Sequence, residues 1–329
     1  MTGMETNMNW TASKIPSQAG RRVVITGANS GIGFEAALEL ARRGAEVILP
    51  ARTEAKAADA VRRIQAAVPG AKVTPAVLDL ASLASVRAFA AFYAQRFPGL
   101  SLDLHINNAG VMALPTRELT VDGFERQVAT NYLGPFALTA LLFPHLKPQP
   151  GTRVVTVASS AANMGKIEFD NLQSERVYKP MFGTYSQSKL ADLVFALELQ
   201  RRLTAAGSPI ISTAAHPGYA VTNLQTSGPG NSGFSSLRIM MAVMKPILSQ
   251  DAAHGALPTL FAATAPEAGR GGYYGPNGFQ ELKGFPAPAK IAPAANDRAL
   301  AARLWTETER LTGVTFDVGA TVGEVVYRG

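Results

Sequence analysis

Between Arg22 and Leu49 the chain spells out a β-branched run, a glycine-rich turn, an amphipathic helix and a second apolar run. The first run is Arg22–Thr26 and the turn is Gly27–Gly33. The helix, Phe34–Arg43, places Phe34, Ala37, Leu38 and Ala41 on one face; Gly44 closes it, and Glu46–Leu49 is the next strand. This is a strand–helix–strand unit of about 30 residues. The pattern then repeats. Helix Glu54–Ala67 precedes strand Lys72–Val77, and helix Leu83–Arg96 precedes strand Leu102–Asn107. Helix Gly123–Leu142 precedes strand Arg153–Ala158, and helix Tyr185–Ala206 precedes strand Ile210–His216. Strands of Val, Ile and Leu with few polar residues suit a parallel sheet covered on both faces.

No linker or internal repeat divides the 329 residues. Hydrophobic residues make up 47% and charged residues 17%, enough apolar surface for one large core. Residues 1–20 are polar and irregular, lack the apolar core of a signal peptide, and read as a flexible tail. Residues 21–312 read as a single domain, with a substrate lid around 225–250 that contains the Met-rich stretch Leu237–Leu248. Helix Asn296–Leu311 lies near its end, and residues 313–329 read as a Gly/Val-rich extension. No run of 18 apolar residues suggests a membrane span, so a soluble cytoplasmic protein is expected. The net charge of +7 is carried mostly by dispersed pairs such as Arg21-Arg22 and Arg62-Arg63. No basic run of five appears, which argues against nucleic acid, while a mild positive field favours an anionic cofactor. Without cysteine there is no disulfide, thiolate metal site or Cys nucleophile. The four histidines, His105, His145, His216 and His254, are scattered and read as structural, with no metal expected.

Tyr185 and Lys189 stand four residues apart, on one face of a helix. A phenol beside an ammonium is a proton donor whose anion is stabilised. The upstream turn, Thr26-Gly27-Ala28-Asn29-Ser30-Gly31-Ile32-Gly33, sits between strand and helix, where glycines let backbone approach a pyrophosphate and the helix N-terminus attracts it. Its spacing is Gly-x-x-x-Gly-x-Gly. Together with Tyr-x-x-x-Lys, this closely resembles the short-chain dehydrogenase/reductase family. The resemblance spans about residues 20–225. It includes Asp79-Leu80 after the third strand, Asn107-Asn108-Ala109-Gly110 after the fourth, Asn131 within a helix, Ser159-Ser160 after the fifth, and Pro217-Gly218-Tyr219-Ala220-Val221-Thr222 after the sixth. Within the family the chain looks most like the retinol-dehydrogenase-like and protochlorophyllide-reductase-like branch, through Asn29-Ser30, Phe169-Asp170-Asn171-Leu172, Ser188-Lys189-Leu190-Ala191 and His216-Pro217-Gly218. The lack of cysteine speaks against a light-dependent protochlorophyllide reductase.

The resemblance implies an α/β fold: a single-domain, Rossmann-type, doubly wound parallel sheet with helices on both faces. It implies Tyr185 as general acid in reduction and base in oxidation, with Lys189 stabilising its phenolate and binding the nicotinamide ribose. Ser160 would hydrogen-bond the substrate oxygen, and Asn131 would hold a water linking Lys189 to solvent. Gly27, Asn29, Ser30, Gly31, Ile32 and Gly33 would cradle the pyrophosphate. Asp79 and Leu80 would hold the adenine, Asn108, Ala109 and Gly110 would line the cofactor, and Pro217, Gly218, Ala220 and Thr222 would face the carboxamide. At the end of the second strand Ala51 stands where an acid would bind a ribose diol, and Arg52 follows, which favours the 2′-phosphate of NADP(H) over NAD(H). Phe169, Tyr178, Met181 and Phe182 on the excursion 161–184, with Met240, Met241 and Met244 of the lid, are candidates to line an apolar pocket for a small-molecule carbonyl or alcohol. A C=C reductase and a catalytically silent cofactor-binding sensor or scaffold are the alternatives, and homo-oligomer formation is left open.

Overall fold

Residues 10–219 and 250–319 are described by the structure, a computed structural model. Eight strands among them form one sheet in the order β3-β2-β1-β4-β5-β6-β7-β8. The strands are β1 (Arg22–Ile25), β2 (Glu46–Ala51), β3 (Val73–Val77), β4 (Leu104–Asn107), β5 (Arg153–Val157), β6 (Ile211–Ala215), β7 (Tyr273–Pro276) and β8 (Pro286–Pro288). All neighbours pair parallel except β7 and β8, which are antiparallel. The chain order reverses between β1 and β4, the crossover at which an open α/β sheet binds its ligand.

Alternate strand residues feed separate cores, because a strand projects successive side chains to opposite faces. Val24, Ile48 and Val154 point into one core, packed by α3 (Leu83–Arg96), α5 (Gly134–Leu142), α6 (Ser186–Ala205) and α8 (Arg298–Thr312). Val23, Ile25, Val47 and Val155 point into the other, packed by α1 (Gly31–Arg42), α2 (Glu54–Ala67) and α7 (Ala252–Thr264). The sheet is therefore covered on both faces, which explains why its strands lack polar alternation.

Towards both ends, described residues depart from the sequence expectation. Trp10 and Ile15, expected in a flexible tail, are buried in the second core, and Trp10 meets Phe261 of α7 edge-on at 5.4 Å. At the other end, Val314 and Phe316 of the expected extension enter the first core. There Phe316 stacks on Trp305 at 5.0 Å and packs edge-on against Phe136 at 5.7 Å, sealing α5 and α6. An apolar side chain packs wherever the fold leaves room for it, however polar its neighbours in sequence.

The helix expected over Gly123–Leu142 begins later, with a short α-turn, α4 (Arg126–Val128), then a π-helical turn, Ala129–Leu133, before α5. A second π-helical turn, Pro180–Tyr185, leads into α6. Single π turns inside α-helices recur at functional positions, and these two carry Asn131 and Tyr185. Among the described residues no helix is long and apolar enough to cross a membrane.

Candidate active site

The glycine turn is built by two strand ends tied together. Thr26 Oγ1 accepts hydrogen bonds from the backbone N–H of Asn108 and of Ala109, both at 3.0 Å, while Asn108 Nδ2 donates to the Thr26 carbonyl at 2.8 Å. The turn after β1 and the Asn108-Ala109-Gly110 turn after β4 thus form one unit. Gly27 adopts φ +68°, and a Cβ there would lie 2.8 Å from Ala109 Cα. A Cβ on Gly33 would collide with Asn108 Nδ2 and lie 2.6 Å from the Gly27 carbonyl oxygen. At the head of α1, Ser30 occupies the N-cap but makes no side-chain capping bond. Among the described residues the first-turn N–H groups have no side-chain acceptor, an arrangement suited to an anion. A glycine cradle with an uncapped helix N-terminus fits a dinucleotide pyrophosphate.

On the β2–β3 side, Arg52 is exposed and makes no hydrogen bond or ion pair among the described residues. Asp79 is fixed at both backbone and carboxylate: its N–H donates to Ser85 Oγ at 2.9 Å, and its Oδ1 accepts from the Ala81 N–H at 3.0 Å. Arg63 carries no signal in the sequence beyond its charge. Its guanidinium stacks on Phe34 at 3.9 Å and donates to the Asn29 carbonyl at 3.3 Å, a second positive group beside the glycine turn.

The β5 end and the start of α6 carry the candidate reactive groups. Ser159 Oγ accepts from the Ala161 N–H at 3.2 Å and caps the short 3-10 turn Ser160–Met164. The Ser160 hydroxyl has no protein partner among the described residues, whereas the Ser159 oxygen is held at the turn by the Ala161 N–H. Tyr185 is buried, and its phenol likewise makes no protein hydrogen bond among the described residues. Lys189 Nζ donates to the Val157 carbonyl at 2.9 Å and to Asp192 Oδ2 at 2.8 Å, with both side chains almost wholly buried. Burial pulls the Lys189 ammonium down, but Asp192 and the nearby Tyr185 phenol outweigh it and hold the group above its ordinary value. Burial pushes the Asp192 carboxyl up to about 6 against the pull of Lys189.

Asn131 is brought to the same place. Its Oδ1 accepts from the Val111 N–H at 2.7 Å, and its Nδ2 donates to the Val111 carbonyl at 3.0 Å and to Ser188 Oγ at 2.9 Å. Ser188 in turn donates to the Tyr185 carbonyl at 2.8 Å. A Cβ on Gly110 would sit 3.3 Å from Asn131 Oδ1 and 3.6 Å from Lys189 Nζ, so the β4 turn lies against both. The Asn131 amide is occupied in fixing the Val111 backbone and the first turn of α6.

The sequence model of the short chain dehydrogenases matches residues 21–229, which include all of these groups. The chain belongs to the short-chain dehydrogenase family. It is 40% identical over 306 residues to polyprenol dehydrogenase of Mus musculus, covering 91% of this chain and 86% of the relative. It is 40% identical over 309 residues to retinol dehydrogenase 13 of Homo sapiens, covering 92% and 89%. Among solved structures, an uncharacterised protein from Mycobacterium paratuberculosis is 42% identical, with a TM-score of 0.76 over 94% of this chain and 99% of the other. A short chain dehydrogenase from Burkholderia cenocepacia in complex with NADP is 25% identical, with a TM-score of 0.59 over 78% and 96%. These likenesses make the protein a short-chain dehydrogenase of the retinol-dehydrogenase-like branch, an oxidoreductase family with nicotinamide cofactors.

In this short-chain dehydrogenase Pro217 and Gly218 stand just beyond β6, next to the β5 end that carries Ser160. Ala220, Thr222, the lid 225–250 except Gln250, and Met240, Met241 and Met244 lie outside the described residues. The excursion residues expected at the pocket are dispersed. Phe169 packs on the first core beneath Arg303, 3.8 Å from its guanidinium. Tyr178 turns its hydroxyl to the Leu114 carbonyl at 2.7 Å, away from a role as an apolar wall. Phe182 is exposed and Met181 half-buried. Two side chains at the centre were not anticipated. Asp192 follows Lys189 at i+3, a spacing that allows an ion pair on a helix. Tyr273 comes from β7 and donates to the Ser159 carbonyl at 3.3 Å; burial pushes its phenol far up, so it stays protonated.

Proposed function

We propose that the protein is an NADP(H)-dependent oxidoreductase that interconverts an alcohol and a carbonyl on an apolar small molecule. The observation that carries this reading is that the hydroxyls of Ser160 and Tyr185, without a hydrogen-bond partner among the described residues, occur together with a buried Lys189 at the β5 end and the start of α6. The dinucleotide would be held by the Gly27–Gly33 turn, Asp79, Leu80, Asn108, Ala109, Gly110, Lys189, Pro217 and Gly218. When bound, the nicotinamide supplies or accepts the hydride. Tyr185 holds the proton that the substrate oxygen takes up on reduction, and receives it on oxidation. Ser160 donates a hydrogen bond to the same oxygen and so fixes its distance from Tyr185. Lys189 keeps a positive charge beside the phenol and stabilises it once the proton has left. Asn131 and Ser188 hold the first turn of α6, which sets the direction of the phenol.

Arg52, unpaired among the described residues and beside Ala51, with Arg63 close to the glycine turn, supports the 2′-phosphate-bearing cofactor. The likeness to retinol and polyprenol dehydrogenases supports an isoprenoid-type alcohol or aldehyde as substrate. The test is a panel of aliphatic, aromatic and isoprenoid aldehydes and alcohols with NADPH, NADP, NADH and NAD, run on the wild type and on Tyr185→Phe. Turnover of apolar carbonyls with NADPH, reduced ~10²–10⁴-fold in the variant, is expected. A Tyr185→Phe variant with wild-type kcat, or a product reduced at a C=C bond, would reject this reading.

A further inference from the structure

His216 is fully buried at the end of β6, and both of its ring nitrogens are engaged. Nδ1 accepts from the Gly218 N–H at 3.3 Å, and Nε2 donates to Glu281 Oε2 at 2.9 Å. An imidazole that accepts at Nδ1 carries its proton on Nε2, and the carboxylate stabilises that tautomer. Glu281 lies in the connection between β7 and β8. Its second oxygen accepts from the Lys290 N–H at 2.8 Å. Gln280 and Glu281 have φ of +49° and +58°, two successive non-glycine residues in the left-handed region. Such strain persists only where the surrounding structure demands it. The ring lies so close to β7 that a Cβ on Gly275 would collide with His216 Nε2.

What the dyad supports is a short stretch of backbone pinned at several points. Pro217 O accepts from Gln250 Nε2 at 2.7 Å, the Tyr219 N–H donates to Leu282 O at 2.7 Å, and Tyr219 O accepts from the Gln250 N–H at 3.0 Å. Gly218 between them adopts φ +64°, and a Cβ there would collide with Leu282 O. The His216 ring is 5.3 Å from that of Tyr273, whose hydroxyl reaches the backbone of Ser159. The stretch therefore stands on the Ser160 and Tyr185 side of the sheet, across from Arg52 and Asp79, which lie at β2 and β3.

We propose that His216 and Glu281 are positioning residues that fix the Gly218 turn and thereby the reactive, nicotinamide end of the cofactor, an inference that rests on the dinucleotide reading of the site. The β7–β8 hairpin, outside the strand–helix repeat, is the element that delivers this support. Full-length wild type, His216→Phe, His216→Asn and Glu281→Ala would be titrated with NADPH and with adenosine 2′,5′-bisphosphate, which carries the adenine and 2′-phosphate but no nicotinamide. Melting temperatures would be measured alongside. Losing the hydrogen bond and its ordered turn should weaken NADPH about tenfold in His216→Phe, with the bisphosphate unchanged to within about twofold. An Asn side chain accepts from the N–H two residues on, so His216→Asn should recover NADPH binding to within about threefold of wild type. Glu281→Ala should fall between. Equal losses for both ligands, no loss for either, or an Asn variant as weak as the Phe variant would overturn the proposal. If His216→Phe does not fold, the selective loss in Glu281→Ala, at a partly exposed position, decides in the same way. A wild type that binds neither nucleotide refutes the dinucleotide reading and this inference with it. A wild type that binds both, with variants that match it, refutes the inference alone.

Discussion

Replacing Asp192 with asparagine isolates the charge beneath Lys189. The side chain keeps its shape and an oxygen to accept from Nζ, so the 2.8 Å contact has a neutral substitute. The wild-type carboxyl ionises at about 6 in the folded protein, above its ordinary 3.8, because burial penalises the anion more than Lys189 attracts it. The sign follows from which state holds the proton. Between pH 4 and pH 6 the unfolded chain has released it while the folded chain keeps it, so stability falls as pH rises through this window. A displacement from 3.8 to about 6 is worth about 3 kcal/mol. The amide of the Asp192→Asn variant cannot ionise and lacks that slope. Urea unfolding of both proteins at pH 4 and pH 7 should therefore show the wild type losing about 2 kcal/mol relative to the variant, since the unfolded carboxyl is already partly ionised at pH 4; titrating groups other than Lys189, which loses its counter-charge in the variant, cancel in the comparison. The same ionisation should appear as an inflection near pH 6 in kcat/KM of the wild type and vanish in the variant, since the charge next to Lys189 and the phenol changes there. A stability difference that stays flat from pH 4 to pH 7 would show that the carboxyl is not held up by burial, and the account of the pair would be wrong.

Arg52→Ala should weaken NADPH and leave NADH little changed, because the lost charge-assisted bond, worth about 1.5–3 kcal/mol, meets only the 2′-phosphate; equal losses in paired titrations would make Arg52 a bystander. Gly33→Ala should abolish tight nucleotide binding at a stability cost of about 1–3 kcal/mol, since the added methyl meets Asn108 Nδ2 and the Gly27 carbonyl; cofactor titration with urea unfolding separates the two effects. Trp10→Ala should lower stability by about 3–5 kcal/mol without touching kcat, as the indole packs on Phe261 far from Tyr185; an unchanged unfolding midpoint would show the N-terminal segment to be dispensable.

The first six strands are legible in the sequence because their signals are local. A β-branched run, a glycine or a cap, and a 3.6-residue apolar stripe each act over a few residues, and the helices expected over Glu54–Ala67 and Leu83–Arg96 match the structure to the residue. The later elements carry weaker local signals. Helix α7 contains Pro258 and Gly255, both helix breakers by composition, and is held by its packing in the second core. Strand β7 reads Tyr-Tyr-Gly-Pro, a composition that suggests a glycine-rich turn, while β8 is an edge strand of Pro-Ala-Pro, the kind of place a sheet tolerates proline. The two π-helical turns are hidden for another reason. One inserted residue does not disturb the composition of a helix, only the direction in which Asn131 and Tyr185 point.

The same division between local and distant signals explains the site. The glycine turn, the Ser pair and Tyr-x-x-x-Lys are each contained within one segment, so the sequence displays them whole. The choice between Ser159 and Ser160 is different. The resemblance favours Ser160, and only the structure shows that the Ser159 oxygen is held by the Ala161 N–H of the following 3-10 turn. Glu281 is 65 residues from His216 in sequence and meets it only because a hairpin beyond the strand–helix repeat folds back over the end of β6. Nothing in a Gln-Glu step after a Gly-Phe marks it as a partner for a buried imidazole. Tyr273 follows the same logic, brought by β7 to the Ser159 backbone, whereas Asp192 lies only three residues beyond Lys189, a local spacing at which an ion pair is readable. The candidate reactive groups are therefore readable where the chemistry needs adjacent residues. The proposed positioning partners Glu281 and Tyr273 are supplied by a distant segment that covers the site, the C-terminal part of the sheet.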